Sequence, residues 1–435
     1  MANQMLELIQ GILYGNGIRI GKLSKTGRVM ATMMGKHADV IPFMGPQCHD
    51  HSMTLAKVPA RKFYYEPDVL VDTQIAVQRW YGFDTYTLIP DAYNFEVEAL
   101  GAKFIYSDNA MPTVDVSEPL IKDRADLDKL SPLDPSKGRI PMSVEVARLI
   151  SKKASGIFAA GFFCSPFSFL CQAMGYPRAV RALKRDKAFA QELFDFAENA
   201  AIFPHVKAQS EQPGVTQSLG ADAWACFPNL TVDLIDEWVV PSAERLAKRG
   251  KKELGITVSA GLAAGDYCEE DPAKFDKEMM FACWNVARKT FPIDIAFSGM
   301  GRTQEWPMEW LQEYAVMKGG RRKLAIYASL NGRFIRDSKP AAIVAKIREW
   351  VDILGRDGRV LFFIGNVPAD TPPINVHTAL TAVHTLGHYP IAKDLSKVDV
   401  PIEEPKPFDE WLKDQPEAET IMKAREWQPE QSVVA

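Results

Sequence analysis

Short apolar runs alternate with amphipathic helical patterns along most of this chain, and this alternation is what most restricts its fold. A parallel strand needs a crossover, usually a helix, to reach its neighbour, so strands that alternate with helices indicate a parallel sheet. The runs that we predict to be strands cover residues 40–44, 84–89, 157–163, 221–227, 255–259, 293–297, 324–328 and 360–364. The predicted helices cover residues 66–82, 142–152, 186–207, 231–249, 272–289, 304–318 and 340–355.

Eight such strand–helix units favour a closed (β/α)8 barrel over an open sheet. We therefore predict an α/β fold, a TIM barrel over residues 37–393, with an N-terminal extension at 1–36 and a C-terminal tail at 394–435. The tail is rich in Pro, Glu and Lys, which indicates a peripheral strap or partial disorder. Residues 107–136 are polar and rich in proline, which is typical of an insertion.

The composition is that of a globular protein, with 47% hydrophobic and 24% charged residues. A net charge of −4 gives no reason to expect a nucleic-acid partner. No apolar run reaches about 18 residues and the N-terminus lacks the pattern of a signal peptide, so we expect no membrane span. The six cysteines include no Cys-x-x-Cys pair, which favours a reduced, cytoplasmic protein.

The last predicted strand, 360–364, is fully apolar and is followed by Gly365 and Asn366. Glycine permits a sharp turn there, and the Thr-Pro-Pro run that begins at Thr371 is a typical helix start with Thr371 as N-cap. In a β/α barrel the residues just past the carboxyl end of each strand line the active site. Asn366 is therefore a candidate catalytic residue.

The densest polar cluster follows the first predicted strand and reads Cys48-His49-Asp50-His51. In a barrel this loop lies on the catalytic face. Histidines two residues apart, with a cysteine and an aspartate nearby, can contact a substrate or bind a metal. The alternative is that one of them caps a helix and the others are solvated.

Asp91 follows the second predicted strand and is a candidate general acid if burial raises its pKa. Its alternative role is to cap the following turn. Tyr93, Asn94 and Glu96 continue the same loop and are candidate substrate contacts.

Further candidate substrate contacts stand at the ends of the later strands, where core packing and turn formation are the alternative roles. They are Cys164, Phe167, Trp224, Asn229, Ser259, Ser298, Asn331 and Arg333.

Six segments carry motifs that occur in a fixed order. They are Glu-Ala-Leu-Gly at 98–101, Gly-Arg-Ile-Pro at 138–141, Ser-Pro-Phe-Ser at 165–168, Gly-Ala-Asp-Ala at 220–223, residues 330–340, and the strand and Thr-Pro-Pro run at 359–376. Their order and spacing, from about residue 38 to residue 391, resemble the uroporphyrinogen decarboxylase superfamily. Asn366 stands where that family usually carries His or Cys.

The family contains tetrapyrrole decarboxylases and cobalamin-dependent methyltransferases. The decarboxylases carry arginines after their first strand, where they meet substrate carboxylates. Here residues 43–51 contain no arginine, and the nearest is Arg61. The methyltransferases that act on coenzyme M carry a His-x-Cys…Cys zinc site. The similar stretches here are 258–261 and 365–366, and they lack those ligands.

The resemblance therefore implies an O-demethylase component, a methyltransferase that removes the methyl group of a methoxylated, aromatic small molecule. The acceptor would be Co(I) of a corrinoid held on a separate partner protein, because the chain contains no Asp-x-His-x-x-Gly signature. Asp91, His49, His51 and Asn366 would assist the leaving oxygen. Zinc remains possible, and no metal ligands are assigned. The alternatives are a decarboxylase and a non-catalytic tetrapyrrole- or corrinoid-binding protein.

Overall fold

The computed structural model describes residues 9–14, 23–36, 38–91, 93–154, 160–291, 295–298, 305–320 and 324–427. Within them, two parallel sheets have the strand orders β3–β4–β5 and β6–β7–β8, and β1 and β2 form an antiparallel hairpin. The strands β1 to β8 are Phe104–Ile105, Thr113–Val114, Gly161–Cys164, Gln217–Ala221, Thr257–Leu262, Ile295–Phe297, Ala325–Leu330 and Val360–Ile364.

Helices separate the strands of both parallel sheets, as the sequence pattern predicts. The helices α1 to α20 are Lys25–Met33, His49–Leu55, Ala60–Phe63, Pro67–Tyr81, Phe95–Ala99, Arg124–Leu127, Ile140–Lys153, Pro166–Met174, Tyr176–Arg185, Lys187–Phe196, Phe203–Ser210, Val232–Leu234, Val240–Arg249, Lys277–Thr290, Met308–Gly319, Gly332–Asp337, Pro340–Leu354, Pro373–Leu386, Phe408–Leu412 and Ala418–Arg425. Residues 9–14 are also helical. The π-helical segments are Ala197–Ile202, Ile235–Val239 and Gly250–Leu254.

The first two predicted strands, 40–44 and 84–89, are extended segments joined to the second sheet by single bridges. Phe43 pairs in parallel with Phe362 of β8, and Met44 pairs in parallel with Thr85. The order in this half is therefore 84–89, 40–44, β8, β7 and β6. The pairing found among the described residues shows an α/β protein with parallel sheets and does not show a closed ring.

The predicted strand at 221–227 is wrong, because β4 ends at Ala221, residues 223–226 form turns and bends, and Phe227 makes only a single parallel bridge with Tyr267. The strand itself, Gln217–Ala221, carries few large apolar residues, so its sequence gives a weak strand signal. Its polar Ser218 is buried because its hydroxyl donates to Gln209 Oε1 at 2.9 Å. The apolar Ala225 and Cys226 are also buried, but they belong to the loop that follows β4.

The predicted strand at 360–364 matches β8, and the chain bends at Gly365 as predicted, with a further turn at 369–370. Gln47 and Asn366 form a parallel bridge, and the Val367 N–H donates to Gln47 O at 2.9 Å. Thr371 is not the N-cap of α18, since its hydroxyl donates to Pro368 O at 2.8 Å.

The other predicted strands and helices overlap observed elements. Parts of them lie outside the described residues, at 157–159, 293–294 and 304. The same holds for His37, most of the N-terminal extension and residues 428–435 of the tail.

The described part of the C-terminal tail lies as a strap along α4. Glu417 forms a bidentate ion pair with Arg79, with N···O distances of 3.0 and 2.9 Å. The Trp80 indole N–H donates to Lys406 O at 2.9 Å. None of the described helices is long and apolar enough to cross a bilayer.

Candidate active site

His49, Asp50 and Tyr64 form a hydrogen-bonded cluster where the first extended segment enters α2. His49 Nδ1 lies 3.0 Å from the Tyr64 hydroxyl, which in turn donates to Asp50. Because that hydroxyl donates to Asp50, its oxygen can accept from His49, which assigns a proton to Nδ1. His49 Nε2 has no hydrogen-bond partner among the described residues. Tyr64 therefore holds Nδ1 of the His49 ring, and Nε2 is the ring nitrogen left to meet a substrate.

The pKa shifts in this cluster follow from its hydrogen bonds. Burial alone would raise the pKa of the Asp50 carboxyl, but the hydrogen bonds to His49 and Tyr64 bring it below its ordinary value. Burial, followed by the charge of Asp50, raises the pKa of Tyr64 well above its ordinary value. At neutral pH Asp50 is therefore an acceptor and Tyr64 a protonated donor.

Asp91 is fully buried at the end of the second extended segment and is held by Arg139. An Arg139 Nη donates to Asp91 at 2.6 Å and its Nε donates to Glu98, also at 2.6 Å. The Asn94 amide donates to the other Asp91 oxygen at 2.6 Å. Burial raises the pKa of the Asp91 carboxyl above its ordinary value, although Arg139 and then Asn94 oppose that rise.

Tyr64 and Arg139 connect the two clusters. Arg139 donates from its second Nη to the Tyr64 backbone oxygen at 3.4 Å, and the charges of Asp91 and Arg139 both act on the pKa of Tyr64. Tyr64 and Arg139 thus connect His49 to Asp91 through a series of hydrogen bonds, whereas the sequence predicts that His51 lies beside them too. Neither Tyr64 nor Arg139 was predicted. A signal existed for Arg139, since it is the one cation in the Gly-Arg-Ile-Pro motif.

Cys48 and His51 lie against α4 instead. His51 Nε2 is 2.6 Å from the Tyr81 hydroxyl, and the two rings stack with centroids 5.8 Å apart. Burial lowers the pKa of His51 to about 4 and raises the pKa of Cys48 to about 12. The structure therefore places these two predicted residues in the packed layer between α2 and α4, apart from the hydrogen bonds that connect His49 to Asp91.

Glu96 belongs to a buried polar network behind β3. Its Oε1 is 2.7 Å from His205 Nδ1 and accepts from the Cys164 N–H at 3.2 Å. His205 Nε2 lies 2.9 Å from the Ser143 hydroxyl and from the Gln209 amide. The order Ser–His–Glu resembles a hydrolytic triad, but each of the three residues is almost fully buried. The network joins β3 to α5, α7 and α11.

Asp222, the residue that follows β4, was not predicted as a site residue. Its Oδ1 accepts from the Ser168 backbone N–H at 2.8 Å and from the Ser168 hydroxyl at 2.7 Å. Burial raises the pKa of Asp222 to about 7, although the Ser168 hydrogen bonds oppose that rise. The signal was the aspartate of the Gly-Ala-Asp-Ala motif.

The remaining candidates near β3 and β4 are partly in the core. Cys164 and Phe167 are fully buried. Trp224 is 38% exposed and stacks on Tyr176 with a centroid distance of 5.4 Å. The Asn229 amide donates to the Cys226 thiol at 3.4 Å.

Most candidate residues after the later strands form hydrogen bonds to nearby backbone groups or side chains. The Ser298 hydroxyl accepts from the Ser329 N–H at 2.8 Å, and Asn331 caps α16 by accepting from the Phe334 N–H at 2.8 Å. Arg333 is exposed and lies 3.5 Å from Glu270.

Tyr93 and Asn366 are accessible, Tyr93 partly and Asn366 more fully. The Tyr93 N–H lies 3.4 Å from Asp91, and Asn94 also donates to Pro112 O at 2.8 Å.

The residues at the family's zinc positions do not fit zinc. The Ser259 hydroxyl donates to Thr290 O at 3.2 Å, and Asn366 offers only an amide, which is not one of the usual zinc ligands. Among the described residues, no group of three or more His, Cys, Asp or Glu side chains is arranged to hold a metal ion.

Comparisons with known proteins agree with the motif order. No curated protein sequence matches this chain. Among solved structures, a methyltransferase from Methanosarcina mazei is similar, with a TM-score of 0.59 and 15% identity over 83% of this chain and 98% of the other. At that identity the likeness shows a shared fold. A profile described as "Uroporphyrinogen decarboxylase (URO-D)" matches residues 24–386, and the chain therefore belongs to the uroporphyrinogen decarboxylase family.

Proposed function

We propose that this protein is a methyltransferase that removes the methyl group of a methoxylated, aromatic small molecule. The acceptor is the reduced cobalt of a corrinoid held on a separate protein, which acts as the second substrate. We also propose that the two parallel sheets close into one (β/α)8 barrel with the site at its carboxyl end. The six free cysteines fit the reducing cytoplasm in which reduced cobalt persists.

The observation that carries this proposal is the pairing of Arg139. Two carboxylates, Asp91 and Glu98, face this one buried guanidinium, so the cluster presents no unpaired cation. Arg61, the nearest arginine to the first loop, is half exposed and lies 3.7 Å from Asp108. A substrate with many carboxylates needs unpaired cations for its binding. The electrostatics therefore favour a neutral ether over a tetrapyrrole polycarboxylate.

The chain's own residues supply a proton to the oxygen that loses its methyl group. A phenolate is a poor leaving group at neutral pH, so protonation of the ether oxygen accelerates its departure. His49 can protonate this oxygen or form a hydrogen bond to it, since Tyr64 and Asp50 orient its ring. Asp91 and Arg139 position the Tyr64 backbone beside it.

The test is methyl transfer from an unactivated aryl methyl ether to a reduced corrinoid protein. Loss of one well-placed proton donor costs ~10²–10⁴ in rate. We expect His49→Ala to lower the rate by about that factor, and less for ethers whose phenols are better leaving groups. The exposed His388→Ala is the matched control and should transfer at the wild-type rate. Equal rates for all three proteins would refute the role of His49.

The family description keeps a decarboxylase as the competing function. Anaerobic incubation with uroporphyrinogen separates the two functions. We expect no catalytic release of CO2, and release at an enzymatic rate would overturn the proposed methyl transfer.

A further inference from the structure

Asp222 is a buried carboxyl group with one satisfied and one unsatisfied oxygen. Its Oδ1 accepts two hydrogen bonds from Ser168, the third residue of α8. Its Oδ2 is buried and has no hydrogen-bond partner among the described residues. The Phe167 backbone N–H, like Ser168, lowers the pKa of this carboxyl group.

No cation compensates this carboxyl group. None of the lysine, arginine and histidine side chains in the described part of the chain forms an ion pair with Asp222. The titratable groups that face it are the thiols of Cys164 on β3 and Cys171 on α8. A buried carboxylate without a cation is costly, and a proton on Oδ2 removes that cost. The start of α8 favours the anion, so both forms are accessible near neutral pH, in line with a pKa of about 7.

Asp222 directly follows β4 and lies beside the carboxyl end of β3. Cys164, the last residue of β3, pairs with Ala221, the residue before Asp222. Burial raises the pKa of the Cys164 thiol first, and the charges of Glu96, Asp222, Cys171 and Asp91 raise it further. Cys164 thus lies within electrostatic range of both aspartates. The charges of Asp222 and Asp91 therefore both act at the end of β3.

We propose that Asp222 holds a proton on Oδ2 at neutral pH and delivers it to the departing ether oxygen. The inference rests on the proposed function and assigns the proton of the ether oxygen to Asp222, while His49 forms a hydrogen bond to the same oxygen. In the step, the methyl–oxygen bond breaks and the methyl group passes to the reduced corrinoid. The oxygen keeps the electron pair of that bond and takes the proton, which leaves Asp222 as a carboxylate. Ser168 stabilises this carboxylate through its two hydrogen bonds to Oδ1.

The decisive variant is Asp222→Asn, whose amide oxygen can still accept from Ser168 while the acidic proton is gone. We expect methyl transfer from an unactivated aryl methyl ether to fall ~10²–10⁴-fold, and less for a better leaving group. An infrared titration of the full chain measures the protonation of Asp222 directly. The carbonyl band of a protonated carboxyl should titrate with a midpoint of about 7 in the wild type and be missing in Asp222→Asn.

Ser168→Ala serves as the positioning control. The hydrogen bonds from Ser168 lower the pKa of Asp222, so loss of the hydroxyl should move the infrared midpoint and the pH–rate profile upward together. A purely structural Asp222 would leave the pH–rate profile of Ser168→Ala unchanged, which would overturn the inference.

The possible failures are distinguishable. If Asp222→Asn transfers methyl at the wild-type rate while His49→Ala is impaired, the role of Asp222 falls and the proposed function stands. If the wild type demethylates none of the methoxylated compounds, the proposed function falls and the role of Asp222 falls with it. If the wild type shows no titrating carbonyl band, Asp222 holds no proton near neutral pH and the inference fails.

Discussion

Arg139 is a buried cation whose carboxylate partners come from another segment of the chain. Its guanidinium bonds Asp91 and Glu98, and it also lies 5.1 Å from the centroids of the Tyr65 and Phe95 rings. Arg139 can be buried only because the two carboxylates neutralise its charge, since an unpaired buried charge is costly. Asp91 was predicted as a candidate from its place after a strand, whereas its ion pair with Arg139 is visible only in the folded chain.

The first prediction concerns this ion pair. We expect Arg139→Met to lower the free energy of unfolding by about 3–5 kcal/mol, since it leaves two carboxylates without their cation. Chemical denaturation at neutral pH measures the loss. Arg61→Ala, which removes an exposed pair with Asp108, should cost no more than about 1 kcal/mol. A loss for Arg139→Met as small as that for Arg61→Ala would contradict the pairing.

At the scale of elements, the loops after β7 and β8 approach each other closely. Gly332 is the first residue of α16, and the Asn366 backbone oxygen occupies the space that a side chain at this position would need. A Cβ on Gly332 would lie 1.8 Å from this oxygen. On its other side, Asn366 forms a parallel bridge with Gln47.

We expect Gly332→Ala to destabilise the protein by about 1–3 kcal/mol or more, because backbone and not a flexible side chain must move. The free energy of unfolding measures the cost. In the control Gly101→Ala the added Cβ meets nothing within 4 Å, and only its φ of +95° is unfavourable. That control should cost ~1–2 kcal/mol. Gly332→Ala as stable as the wild type would exclude the close approach.

Across the whole molecule, buried histidines make stability depend on pH. His377 lies 4.6 Å from Trp80 and 4.7 Å from Tyr81, between ring centroids, and His51 stacks on the same Tyr81. Burial lowers the pKa of each histidine to about 4. This cluster joins α2, α4 and α18 beneath the C-terminal strap.

The unfolded chain therefore binds protons at a higher pH than the folded chain does. Because the ordinary pKa of histidine is about 6.5, stability is full above that value and falls as the pH drops toward 4. We expect denaturation curves at a series of pH values to show this fall. His377→Phe should make it shallower, while the exposed His388→Gln should leave it unchanged. If the pH dependence of stability is as steep in His377→Phe as in the wild type, the lowered pKa of His377 is contradicted.

The alternation of apolar runs and helical patterns was sufficient to predict the α/β class, β8 and α4, because periodicity and glycine stops are local properties. Motif order was sufficient to predict the family. The roles of His49 and Asp91, predicted from their positions after strands, stay predictions. Local pattern failed for β4, whose buried Ser218 is satisfied only by the distant Gln209. It also failed at Thr371, where a nearby carbonyl competes for the hydroxyl.

Only the tertiary structure decided how charge is distributed in the site. Tyr64, Arg139 and Asp222 are held by contacts with residues 14 to 54 positions away in the chain. Burial then decides which of these groups keeps a proton, since desolvation and pairing act on the whole environment of a group. Residue identity fixes what a side chain can do chemically. Its protonation state and partners depend on neighbours that the fold alone brings together.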